Sequence, residues 1–287
     1  MCTLILGRDV LDPETVLVAA NRDEDPNRPS DPPGVLHESP RVVGGRDRVA
    51  GGTWLAVRER RAIVAMLNRR DRSGGPSPPA PDRRSRGLLA LDVATAPDDY
   101  SKHLDPSGQH RELLDRLLQM SGPGFPFAAL YRLFAALWEA RYAPFTMVFA
   151  APRSCWIAAS DGEGTPRCAA ITSGWHVLTH ADLDDAAEPR TAHLLRQLDG
   201  YRPRSVEKAE QFIGDLLRAH GAASAPGAPA RPAVCLHEGP VVTVSSAIIC
   251  LSARNARYRH AEGRPCQHPL ADVSHLLADA SFASEKP

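Results

Sequence analysis

MCTLILGRDV (Met1–Val10) and TVLVAANRDE (Thr15–Glu24) are the two stretches that decide the fold. Thr3–Gly7 and Thr15–Ala20 are apolar runs of strand length, and Asp9, Asp12 and Pro13 between them favour a turn. Together they read as a β-hairpin. The second run stops at NRDED, Asn21 to Asp25, which reads as the strand's end. An antiparallel return brings that end back toward residue 2.

Downstream, Pro26 to Pro40 is too rich in proline for a helix or a central strand. Arg41 to Gly52 reads as a polar glycine loop. Thr53–Val57 and Ala62–Leu67 form a second hairpin around Arg58–Arg61. Asp71 to Arg86 reads as an exposed loop, and Gly221 to Pro232 as a small-residue linker. Helices are expected at Leu88–Ala94, at His110–Met120 with its leucines at helical spacing, and at Phe127–Ala140. Two more are expected at Ala187–Leu198 and at Ser205–His220, the latter capped by Ser205. Strands are expected at Phe145–Ala150, Cys155–Ala159, Cys168–Ile171 and Trp175–Thr179. Further strands are expected at Ala233–Leu236, Val241–Leu251 and Tyr258–Glu262, with a last helix at Leu270–Leu277. Strand groups separated by helix groups predict an α+β layered fold rather than alternating βαβ units. No internal repeat is visible, and residues 1–287 read as a single domain.

The 287 residues carry 34 basic and 34 acidic side chains, a formal net charge of +0, which argues against a surface tuned for nucleic acid. The arginine clusters Arg58–Arg61 and Arg69–Arg72 lack interleaved aromatics and read as solvated loops. No run approaches 18 apolar residues, so no membrane span is expected. The start lacks a basic region before its apolar run, and the expected location is the cytoplasm. A chain of this size buries roughly 70–75% of its unfolded surface and needs no staple to hold a core. None of the six cysteines forms a C-x-x-C pair, and they are expected to be reduced. Cys155, Cys235 and Cys250 sit in apolar runs and read as small core hydrophobes.

Cys2 is the position with distinctive chemistry. A cysteine is small enough there for the initiator methionine to be removed, which leaves a thiol and a free α-amine on one residue. An α-amine near pKa 7.7–8.0 can take the proton of a thiol near 8.5 without a histidine. The other reading is a small residue at a strand start. Within NRDE, Asp23 can orient the amine, Arg22 can stabilise a thiolate or bind an anionic substrate, and Asn21 can donate to an oxyanion. A turn with a surface Arg–Asp pair is the alternative. Gly51 and Gly52 permit close backbone approach or positive φ, and Trp54 is either a pocket wall or a core residue. Asn68 ends a strand and is either a donor into a cleft or a turn former. His176 and His180 share a strand face, with Asp182 and Asp184 following. Spacing fixes no third ligand and H-E-x-x-H is absent, so no metal is expected. The remaining histidines, His237 among them, are scattered. Val244–Ile248 has paired hydroxyls at Ser245 and Ser246 but no G-x-S-x-G elbow, which disfavours a serine hydrolase.

Several segments, taken in order, resemble the NRDE family, known also from the transport-and-Golgi-organisation-2 proteins. They are Met1-Cys2, AANRDE at Ala19–Glu24, Arg28-Pro29, GGRD at Gly44–Asp47, AGGTWLAV at Ala50–Val57, LNRR at Leu67–Arg70 and SRG at Ser85–Gly87. That family resembles the N-terminal-nucleophile hydrolases. The resemblance implies a four-layer αββα sandwich with Cys2 at the start of a central strand. It further implies a cysteine amidohydrolase that cleaves a linear C–N bond through an acyl-enzyme, with Cys2 as nucleophile, Asp23 orienting the amine and Asn68 as oxyanion donor. Trp54, Gly52, His180 and Ser245 are the expected pocket residues, and a small molecule is the expected partner. No cofactor is implied by this reading. The alternative on the same scaffold is a non-catalytic carrier of haem or an acyl ligand, with Cys2 and His180 as the residues to test. Two positions depart from the family pattern. Thr179-His180-Ala181 stands where a Ser-Asn-Ala-like segment is usual, and Val244 stands where an arginine commonly precedes the paired hydroxyls.

Overall fold

The computed structural model describes residues 2–70, 82–97, 126–221 and 231–278. In chain order the elements are β1 (Thr3–Arg8), β2 (Thr15–Glu24), β3 (Ser30–Glu38), β4 (Arg41–Asp47), β5 (Leu55–Arg58), β6 (Ala62–Asn68), α1 (Arg86–Ala94) and α2 (Phe127–Glu139). They continue with β7 (Phe145–Ala151), β8 (Ser154–Ser160), β9 (Arg167–Ala170), β10 (Gly174–Leu178), α3 (Pro189–Leu198) and α4 (Val206–Arg218). The last are β11 (Val242–Ser252), β12 (Ala256–Glu262), β13 (Ala271–Asp272) and a 3-10 turn at Ser274–Leu277. The class is α+β, built on two antiparallel sheets. Contacts divide the chain into two units, one running up to Pro29 and resuming at Thr172, the other Ser30–Ile171.

The first unit carries a six-stranded sheet in the order β10-β1-β2-β11-β12-β13. Strand alternation sends Ile5, Leu17, Ala19, Val177 and Ile248 to one face, where they pack with Leu194, Leu198, Ile213 and Leu217 of α3 and α4. Each such aliphatic side chain contributes roughly 1.5–3 kcal/mol of burial. Helix α4 buries Ala209, Ile213, Leu216 and Leu217, an i, i+4 stripe, and Ser205 caps it by accepting from the Lys208 amide at 3.3 Å. Helix α3 starts on Pro189, with the Glu188 carboxylate accepting from the Thr191 amide at 2.7 Å.

The second unit carries a seven-stranded sheet in the order β3-β4-β5-β6-β7-β8-β9. Leu89 and Val93 of α1 and Leu130 and Leu133 of α2 pack on Val64, Met66, Phe145 and Met147. Helix α1 starts where Ser85 accepts from the Gly87 amide at 3.2 Å. The proline-rich segment forms β3 at the sheet edge, where a missing N–H costs no ladder bond.

NRDE ends the second strand as expected: β2 continues past its apolar run to Glu24, where β11 pairs with it through Val242 and Thr243. Three expectations are corrected. Arg41–Gly52 is not a loop. Its first part is β4, held between β3 and β5 with Val42 and Val43 buried. Ala233–Leu236 is not a strand. The Val234 and Cys235 amides both donate to the Ala219 carbonyl, each at 3.0 Å, which fastens the segment to the end of α4. Leu270–Leu277 is not one helix but β13 followed by the 3-10 turn. The expected helix at His110–Met120 lies outside the described residues, as do positions 71–81 and 222–230 of the two expected loops. No helix among the described residues is long and apolar enough to cross a membrane.

Candidate active site

The register of the first sheet assembles the site. Thr3 pairs with Asn21, and Leu4 pairs with both Ala20 and Leu178. One step beyond the paired residues Cys2 comes beside Arg22 and Asp23, both of which act on its thiol. Arg22 in turn pairs with Ser245 of β11. Cys2, Arg22 and Ser245 thus come from three neighbouring chain segments, and His180 follows two residues past the end of β10. Alternation turns Arg22 and Ser245 to the face away from α3 and α4. Cys2 is half-buried, while Arg22, His180 and Ser245 are buried.

The cross-strand row Thr3, Asn21 and Ser246 faces the helices. Asn21 is fully buried and saturated. Its Nδ2 donates to the carbonyls of Leu217 at 2.9 Å and Val234 at 3.0 Å, and its Oδ1 accepts from the Ser246 hydroxyl at 2.5 Å. Both amide hydrogens are engaged, so this side chain tethers the sheet to α4 and has no N–H left for an oxyanion.

Asp23 lies two residues beyond Asn21, on the same, helix side. Thr243, its cross-strand partner, donates its hydroxyl to Oδ1 at 2.7 Å. Arg190, in the first turn of α3, reaches Oδ2 at 3.2 Å and also donates to the Thr3 hydroxyl at 2.8 Å. The Asp23 side chain is 0% exposed and that of Arg190 11%, so the ion pair is shielded from solvent screening. Burial pushes the Asp23 carboxyl up from the ordinary range, against the pull of Thr243 and Arg190. Desolvation also pushes the Cys2 thiol up, and the Asp23 carboxylate adds to the rise. A hydrogen bond to the Asp23 backbone works the other way. A thiol so placed needs a base at hand before it can attack.

The chain around Cys2 is shaped by two local features. β11 bulges between Thr243 and Ser245, so that Thr243 pairs with Asp23 and Ser245 with Arg22. Val244 is the extra residue, and its departure from the family pattern therefore falls on the bulge. Arg22 lies 3.9 Å from the Glu24 carboxylate. His176 is held by the Asp184 carboxylate at 2.7 Å through Nδ1 and by the Thr172 carbonyl at 3.0 Å through Nε2. Burial lowers its pKa, but the Asp184 contact and charge outweigh that and leave it raised.

Gly52, Trp54 and Asn68 belong to the second unit. Gly52 is required by close packing: a Cβ there would lie 2.1 Å from the Gly87 carbonyl carbon. Gly51 has φ +74°, as a turn glycine does. Trp54 is half-buried and rests on Gly45, where a Cβ would meet the indole at 2.4 Å. Asn68 is exposed at the end of β6, opposite Phe145.

Sequence reasoning missed Arg190 and Thr243. Arg190 follows Glu188-Pro189, a helix-start signal that says nothing of a partner at position 23. Thr243 opens an apolar strand, and only the β2–β11 register reveals its contact.

The family described as Transport and Golgi organisation 2 matches residues 1–231. No curated protein matches the sequence. Among solved structures, the chain is similar to a Caenorhabditis elegans N-acylethanolamine-hydrolyzing acid amidase ortholog, at 12% identity, 87% coverage of this chain, 92% of that one and a TM-score of 0.46. It is similar to penicillin V acylase from Agrobacterium tumefaciens, at 12% identity, 91% and 83% coverage and a TM-score of 0.46. It is also similar to a variant of the conjugated bile acid hydrolase from Clostridium perfringens, at 11% identity, 97% and 95% coverage and a TM-score of 0.43.

Proposed function

We propose, from the premise that the chain belongs to the Transport and Golgi organisation 2 family, that it is a cysteine N-terminal-nucleophile amidohydrolase acting on a linear amide. The observation that carries this reading is the placement of Cys2 beside Arg22 and Asp23, backed by the buried Asp23–Thr243–Arg190 network.

Removal of Met1 exposes the Cys2 amine beside Asp23. In the first half-reaction the amine takes the thiol proton, and sulfur attacks the carbonyl carbon. The tetrahedral oxyanion collapses, the C–N bond breaks, and the ammonium returns its proton to the leaving amine. A thioester remains on Cys2. In the second half-reaction the amine takes a proton from water, hydroxide attacks the thioester, and the thiol is restored as the acid departs. Asp23 supplies a fixed negative charge that favours the ammonium form. Arg22 supplies positive charge beside the sulfur and suits an anionic group on the substrate.

The test is pre-steady-state hydrolysis of a chromogenic amide panel by the mature protein. A burst of one amine per chain is expected. Stoichiometric binding of haem or an acyl ligand without any turnover would overturn the hydrolase reading.

A further inference from the structure

Four side chains that no part of the proposed chemistry uses converge in the first unit: His220, Cys235, His237 and Cys266. Their ligand atoms all lie within 4.8 Å of one another. The two sulfurs are 3.6 Å apart, and His237 Nε2 is 3.7 Å from the Cys235 sulfur and 3.2 Å from that of Cys266. The His220 ring stands edge-on to that of His237, with centroids 4.6 Å apart. A tetrahedral zinc ion with bonds of about 2.3 Å to sulfur and about 2.0–2.1 Å to nitrogen has S–S edges of roughly 3.8 Å and S–N edges of roughly 3.6 Å. The three measured separations match those edges to within about 0.4 Å. Both thiols are unlinked.

We propose that His220, Cys235, His237 and Cys266 form a Cys2His2 structural zinc site. This corrects two readings of the sequence, that Cys235 is a plain core hydrophobe and that His237 carries no role. The ligands come from three separated pieces of chain, which is why their spacing resembles no metal motif. His220 lies just past α4, Cys235 and His237 lie in the segment leading to β11, and Cys266 lies in the turn after β12. Neighbouring hydrogen bonds already hold these pieces. Arg218 donates to the Pro265 carbonyl at 3.0 Å, Arg264 to the His237 carbonyl at 3.3 Å, and the Cys235 amide to the Ala219 carbonyl at 3.0 Å. Such outer contacts orient ligands in metal sites. Binding replaces two thiol protons, released to solvent, by one dication, so the loaded site is neutral.

The site bears on the region of Cys2 through two short links. The Val234 carbonyl, next to Cys235, accepts from Asn21. The Leu236 amide, between Cys235 and His237, donates at 2.9 Å to the Thr243 hydroxyl that holds Asp23. Zinc therefore fastens the segment that tethers both NRDE side chains. The zinc assignment does not depend on the hydrolase reading.

The experiment is metal analysis of the full-length reduced protein, purified without chelator and given one equivalent of zinc chloride before desalting. One zinc per chain is expected. Cobalt should replace it and give the thiolate charge-transfer band and strong visible bands of a tetrahedral site. Cys266→Ser and the exposed-site variant His220→Ala should each weaken zinc binding by about tenfold or more, whereas Cys168→Ser and Cys250→Ser should keep one zinc per chain. Less than a tenth of an equivalent in the wild-type protein, or undiminished zinc in both ligand variants, overturns the proposal.

Discussion

Thr243 donates its hydroxyl to the Asp23 carboxylate at 2.7 Å across the β2–β11 pair, so the acid of the NRDE stretch is fixed by a strand that begins more than two hundred residues later. Arg190 completes the grip from α3. Asp23 is held by groups it cannot escape, which orients its carboxylate at the sheet end.

Removing Arg190 should expose how much that charge costs when unpaired. Arg190→Met is expected to destabilise the protein by about 3–5 kcal/mol, because it leaves a buried carboxylate without its partner. Adding Asp23→Asn should recover most of that loss. Urea unfolding of the two singles and the double gives the coupling directly.

Asn21 is expected to resist every substitution. Asn21→Ala removes three hydrogen bonds and strands two buried carbonyls, a loss of roughly 2–4 kcal/mol. Asn21→Asp should be worse at neutral pH, since a carboxylate would face the Leu217 and Val234 carbonyl oxygens. Its stability should improve as pH falls and the acid is neutralised. An aspartate variant as stable as the parent at pH 7 would contradict the assigned tether.

His260 predicts acid sensitivity. It is buried on β12, its Nδ1 has no hydrogen-bond partner, and burial lowers its pKa from 6.5 to about 4. The unfolded chain binds a proton that the folded chain refuses. Stability is therefore full above pH 6.5 and falls by up to roughly 3 kcal/mol as pH drops through the window to about 4. His260→Leu should flatten the stability profile over that window, measured by chemical denaturation at half-unit pH steps.

Gly52 and Gly34 form a matched pair. Gly52→Ala drives a Cβ into the backbone at Gly87 and should cost more than about 3 kcal/mol or prevent folding. Nothing lies within 4 Å of a Cβ at Gly34, and Gly34→Ala should stay within about 0.5 kcal/mol of the parent. Thermal melts of both variants decide it.

What the sequence disclosed followed from local pattern. The β1–β2 hairpin, the β5–β6 hairpin, the capped start of α4 and the apolar face of α2 are all set by neighbours close in the chain. Cys2 beside Arg22 was legible for the same reason, since one hairpin fixes it. Long-range pairing was not legible. β2 extends through NRDE only because β11 arrives beside it, and β4 is a strand only because β3 and β5 flank a glycine-rich stretch. Arg190, Thr243 and the four zinc ligands are joined by tertiary contacts that leave no spacing rule in one sequence. Asn21 looked free to donate because its two acceptor carbonyls, Leu217 and Val234, are distant in the chain.

The central claim is that position 2 bears the nucleophile and its own base. The most direct measurement is the intact mass of the native protein before and during incubation with a mixed amide library, with Cys2→Ser in parallel. The account predicts a chain lacking Met1 and a transient acyl adduct that maps to the Cys2 peptide. A protein that turns over an amide while still carrying Met1, or an adduct on any other residue, would contradict it.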